Sequence, residues 1–210
     1  SDELKPNTPY PFPWTSKQFC DGCTESVAEV PSDLQTLCWD MDDDYDLIIL
    51  AYTVWYLSPS IPVATFLQSL QAQKIMRGRP VLTIIGCRNM WLLAQEKVKQ
   101  RINKIGAHLT GNIVLTDKTN NLVGVLTIAV WMLTGKKDRF LKILPRPGIS
   151  DQDIKEAARF GEIILKAVAD YYEVNPSEIE GKCRKKAIIK PRQITIYLLR
   201  KEIGLSFPEI

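Results

Sequence analysis

Three runs of the 210-residue chain gather residue types able to do chemistry. In Tyr52-Thr-Val-Trp-Tyr-Leu-Ser58, the Tyr52 and Trp55 rings either pack the loop or offer faces to a planar ligand, with Val54 between them and the Ser58 hydroxyl as a hydrogen-bonding group. In Gly86-Cys-Arg-Asn-Met-Trp91, Gly86 allows close backbone approach, Arg88 can face an anionic group or pair with an acid of the protein, Asn89 brings an amide, and the Trp91 indole can meet a ligand or pack the loop. The third run is cationic. From Lys182 to Lys201 it holds Lys182, Arg184, Lys185, Lys186, Lys190, Arg192, Arg200 and Lys201 with no Asp or Glu, a composition suited to a phosphate backbone or to a solvated basic face.

Other reactive types carry less. Cys20-Asp-Gly-Cys23 has the spacing of half a metal site or a redox pair, but no second Cys/His pair follows and His108 is the single histidine, so no metal is expected. A redox pair needs a helix N-terminus beside a strand to lower a thiol pKa, and the proline-rich stretch just before argues against that. Cys87 is read as a structural thiol, Asp40 to Asp44 as a solvated acidic turn. The odd set of five cysteines fits reduced thiols in a cytoplasmic protein.

The elements that would position these groups follow from periodicity. Short apolar runs at 45–51, 80–86 and 112–116 predict strands covered on both faces, and the segments between them, 61–76 and 91–105, predict helices. Alternation of strand and helix gives a parallel α/β sheet, and ligands of such sheets bind beyond the carboxyl ends of the strands, where the runs at 52–58 and 86–91 fall. Residues 5–16, with four prolines, predict an extended segment clamped by Tyr10, Phe12 and Trp14. Leu122 to Gly135 is too short to cross a membrane and predicts a buried element. A long helix is expected over 151–172, and a change of composition divides an α/β domain, 1–165, from a small helical segment, 166–210. A net charge of +3 names no nucleic-acid or membrane partner by itself, and Ser1 to Lys5 lacks the pattern of a secretory signal.

Residues 5 to about 160 resemble a bacterial family with a flavodoxin-like fold, often labelled dialkylresorcinol condensing enzyme. The resemblance rests on 9–14 (Pro-Tyr-Pro-Phe-Pro-Trp), 51–62 (Ala-Tyr-Thr-Val-Trp-Tyr-Leu-Ser-Pro-Ser-Ile-Pro), 85–91 (Ile-Gly-Cys-Arg-Asn-Met-Trp), 112–117 and 133–138. It implies a flavodoxin-like parallel sheet flanked by helices, a planar ligand such as FMN at Tyr52, Val54, Trp55, Ser58, Gly86, Arg88, Asn89 and Trp91, NAD(P)H-dependent oxidoreductase chemistry, and a homodimer. By the same resemblance the first strand and the phosphate-binding loop of the family lie outside this chain.

The end of the chain resembles the DNA-binding domain of the bacterial replication initiator family DnaA, in Val168-Ala-Asp-Tyr-Tyr-Glu-Val174, Lys182-Cys-Arg-Lys-Lys186 and Pro191-Arg-Gln-Ile-Thr-Ile-Tyr-Leu-Leu-Arg-Lys-Glu202. This implies double-stranded DNA as partner, with Lys182, Arg184, Lys185 and Lys190 in a phosphate-gripping basic loop and Arg192 entering the minor groove. The family's recognition helix would follow Ile210. Three readings stand open from sequence: a flavin-type oxidoreductase domain, a DNA-binding module, and a non-catalytic fusion or scaffold.

Overall fold

Alternating strands and helices do produce a mixed α/β architecture. The computed structural model describes residues 3–37, 45, 47–137, 145–171, 173 and 175, and the described residues divide into two compact units between Ile149 and Ser150.

In the first unit, helix α1 (Ser16–Ala28) opens on a capping box that the prolines before it obscure. The Thr15 hydroxyl accepts from the Gln18 amide while the Gln18 side chain accepts from the Thr15 amide, satisfying two donors that the first helical turn leaves free. Strand β1 (Ile48–Trp55) runs four residues beyond the stretch predicted from sequence. It then turns sharply through Tyr56 and Leu57, both left-handed (φ 48° and 65°), into the short antiparallel strand β2 (Ser58–Pro59). The run 52–58 is therefore a strand end and a tight hairpin, not an open loop.

The predicted helix 61–76 is two helices, α2 (Ile61–Phe66) and α3 (Leu70–Met76). Ser69 breaks it: its hydroxyl donates to the Phe66 carbonyl and accepts from the Ala72 amide, ending one helix and capping the next. Strand β3 (Pro80–Cys87), helix α4 (Leu92–Ile105) and strand β4 (His108–Thr116) follow the sequence pattern, α4 closing at Gly106 with φ 82°. Strands β1, β3 and β4 are parallel, and the sheet order is β2-β1-β3-β4.

One face of the sheet carries the core. Leu50 and Tyr52 of β1 and Val81, Thr83, Ile85 and Cys87 of β3 alternate inward, against Ala94, Val98, Ile102 and Ile105 of α4 and Phe66, Ala72, Ile75 and Met76 of α2 and α3. Ala51 and Thr53, on the other face, are exposed, so β1 is not covered on both sides as its apolar run suggested. Helix α5 (Asn121–Thr134) is also less buried than expected. Gly124 and Thr127 are enclosed while Leu122, Val125, Leu126 and Leu133 are exposed, because the helix meets the rest of the unit along one edge only.

In the second unit, the expected long helix is interrupted at Ala157 and Ala158. Helix α6 (Asp151–Glu156) is capped by the Ser150 hydroxyl, which accepts from the Asp153 amide, and α7 (Arg159–Tyr171) continues after the turn. No helix among the described residues is long and apolar enough to cross a membrane.

Candidate functional site

The residues expected to wall a planar ligand are brought to the carboxyl ends of β1 and β3, but most of their side chains have partners within the protein. Tyr52 is 5 % exposed and its hydroxyl donates to Gln95 Oε1 at 2.7 Å. Gln95 Nε2 in turn donates to Thr83 Oγ1 at 3.2 Å, and the Thr83 hydroxyl donates to Asn112 Oδ1 at 3.0 Å. This ladder joins β1, α4, β3 and β4 on the core face. Burial, with a smaller push from the adjoining Cys87 thiol, raises the Tyr52 phenol well above its ordinary value of 10. Val54 and Trp91 pack on the same core.

Trp55 belongs to an aromatic cluster that fastens the proline-rich segment, as the sequence predicted for Tyr10 and Trp14. The Tyr10 ring meets Trp55 edge-on at 5.0 Å between centroids, Trp14 meets it edge-on at 6.4 Å, and the Trp14 amide donates to the Met132 carbonyl. Ser58 is 1 % exposed and its hydroxyl accepts from Lys97 Nζ at 2.9 Å. Lys97 belongs to a small charge cluster: Glu29, the left-handed residue that ends α1, receives Arg101 at 2.7 Å and Lys97 at 3.6 Å.

Gly86 lies under the chain itself, since a methyl group placed on it would sit 3.4 Å from the Ile149 side chain. Arg88 and Asn89 are held together by Asn121 at the start of α5, and Arg88 rests on Gly124, where a methyl group would lie 2.6 Å from its Nε. Arg88 Nε and Asn89 Oδ1 are buried and have no hydrogen-bond partner among the described residues. The Tyr52 and Ser58 hydroxyls are thus hydrogen-bonded within the chain, Arg88 and Asn89 are held by Asn121, and the Val54, Trp55 and Trp91 side chains are partly buried. Cys87 is buried, and burial raises its thiol from 9.0 to about 11, which keeps it protonated and unreactive near neutrality.

Sequence reasoning missed the Gln95–Thr83 ladder and the Glu29 cluster. Both join residues 12 to 72 positions apart, which local periodicity does not bring together. The second set of candidates, Lys182, Arg184, Lys185, Lys190 and Arg192, lies outside the described residues. Among the described residues, no group of three or more metal-ligating side chains comes together.

Comparison with known proteins bears on that second set. Residues 161–210 match the family model described as the bacterial DnaA protein helix-turn-helix. Two chromosomal replication initiator proteins DnaA, from Thermomicrobium roseum and Limosilactobacillus fermentum, are 47 % and 49 % identical to the chain over 49 residues, 23 % of this chain and 10 % and 11 % of theirs. The DnaA of Nostoc punctiforme is 33 % identical over 110 residues, 52 % of this chain and 22 % of that protein. The chain thus spans between about a tenth and a fifth of the length of these relatives.

Proposed function

We propose that residues 161–210 form a DnaA-like DNA-binding module, and that the chain binds double-stranded DNA in a replication-associated role. The carrying observation is that the family match encloses the whole run from Lys182 to Lys201, in which eight cations stand with no carboxylate. Lys and Arg so concentrated neutralise phosphates and release condensed counterions, a term that favours any duplex and falls steeply with salt. Lys182, Arg184, Lys185 and Lys190 supply these contacts, while Arg192, whose planar guanidinium suits a narrow groove, orients the segment on the duplex.

The test is duplex binding by the whole chain beside a Lys190→Ala, Arg192→Ala double variant. The reading requires the variant to lose most of the affinity with its fold unchanged by circular dichroism. Equal binding by both proteins would end it.

A further inference from the structure

One motif is left without a role by DNA binding: Cys20-Asp-Gly-Cys23. The proline-rich stretch before it does not prevent a helix: α1 begins at Ser16 and carries both cysteines on adjacent turns, beyond its first turn rather than at its N-terminus. Cys20 is exposed and Cys23 partly so, whereas Cys87 is buried. The same turn holds Tyr56, whose hydroxyl donates to the Phe19 carbonyl at 2.8 Å. Burial, then Cys23 and Cys20, pushes that phenol up to about 12.

We propose that Cys20 and Cys23 form a reversible dithiol–disulfide couple that exchanges with small-molecule disulfides and reports its state to the aromatic cluster through Gly22 and Trp14. Cys20 gives up its proton and its thiolate attacks a disulfide R–S–S–R, breaking that S–S bond to form a mixed disulfide and expelling R–S⁻, which takes up the proton as R–SH; Cys23 likewise gives up its proton to the second leaving thiolate. The Cys23 thiolate then attacks the Cys20 sulfur, closing the bridge and releasing the second R–SH. Two protein thiols are oxidised and one small disulfide is reduced to two thiols, so atoms and electrons balance.

The geometry says what closure does. Residues three apart on a helix have Cα atoms about 5 Å apart, within the range of about 4.4–6.8 Å that disulfides span. Their Cβ atoms are about 5–6 Å apart, against the roughly 3.5–4.5 Å a bridge needs. Closure must therefore tighten the turn that contains Gly22, which gives a strained and readily reduced bridge of the kind found in exchanging rather than structural disulfides. That turn has no slack on its inner side: a methyl group on Gly22 would lie 2.5 Å from Trp14 Cζ3. Trp14, 7 % exposed, stacks on Tyr10 and meets Trp55 and Phe19 edge-on, so a shift of Gly22 changes the surroundings of a buried indole.

The experiment equilibrates the full chain with mixtures of reduced and oxidised glutathione, maps each thiol by differential alkylation and peptide mass, and follows tryptophan emission. The expected result is an intramolecular Cys20–Cys23 bridge lacking two hydrogens, with an emission change that tracks its formation. Cys20→Ser and Cys23→Ser should each abolish both, and Trp14→Phe should remove the emission change while the bridge still forms. The peptide map separates this bridge from reactions at Cys38 and Cys183. Two free thiols, or Cys20 held as a stable glutathione adduct, would overturn the couple. A bridge that forms with unchanged emission in the wild-type chain would overturn its link to Trp14.

Discussion

Replacing Tyr52 by Phe removes one hydroxyl and leaves the ring, so the perturbation falls on the buried ladder alone. Gln95 Oε1 then loses its donor at 2.7 Å, and Gln95 cannot turn away freely because its Nε2 is held by Thr83 at 3.2 Å. An acceptor stranded in a site where Gln95 is only 6 % exposed costs about 1–3 kcal/mol, which for a chain of this size lowers the melting temperature by roughly 2–4 °C per kcal/mol. The alkaline limb adds a second signature. The folded Tyr52 keeps its proton above pH 10 while the unfolded chain loses it, so the stability this group contributes is fully present below pH 10 and drains away as pH rises toward the folded value. The loss approaches about 1.4 kcal/mol per pH unit above pH 11 and totals about 1.4 kcal/mol between pH 9 and 11, and Tyr52→Phe should flatten the wild-type alkaline limb by that total. The assay is thermal and urea unfolding at pH 7 and across pH 9–11, with Gln95→Leu and the double variant completing a cycle. The double variant should cost less than the sum of the singles by at least about 0.5 kcal/mol. A Tyr52→Phe protein as stable as wild type at pH 7, or strict additivity, would refute the ladder as a unit.

Two further outcomes follow from the first unit. Glu29→Gln strips the shared anion from Lys97 and Arg101. Their side chains keep 25 % and 29 % exposure, so urea unfolding should show a loss of about 1–2 kcal/mol rather than the roughly 3–5 kcal/mol of a fully buried pair. With Tyr52, Trp55 and Ser58 engaged internally, the chain incubated with FMN and desalted should show no absorbance near about 375 and 450 nm. Retained flavin bands would show that the hairpin at 52–58 opens.

Much of the fold was legible because local chemistry agreed with the outcome. The apolar runs marked β1, β3 and β4, and Gly106 marked the end of α4 because its left-handed backbone suits glycine. The failures have equally local causes. Tyr56 and Leu57 make a left-handed turn without the Gly or Asn that usually announces one, so a hairpin passed for a loop. Ser69 splits a helix through hydrogen bonds that periodicity does not register, and the Thr15–Gln18 box was outweighed by four prolines. The candidate ligand wall was drawn from position along the strands, which does not register side-chain direction: Tyr52 faces α4, and Trp55 faces Tyr10 and Trp14. The basic segment was legible because charge composition needs no tertiary information.

The central claim is that the cations between Lys182 and Arg192 grip a duplex. It is tested most directly by the affinity of the whole chain for double-stranded DNA as a function of salt. If Lys182, Arg184, Lys185, Lys190 and Arg192 each neutralise one phosphate, log K should fall with log salt at a slope of about −4 to −5, a loss of roughly 500-fold between about 50 and 200 mM. Binding that is absent at low salt, or that holds constant across the series, would contradict the account.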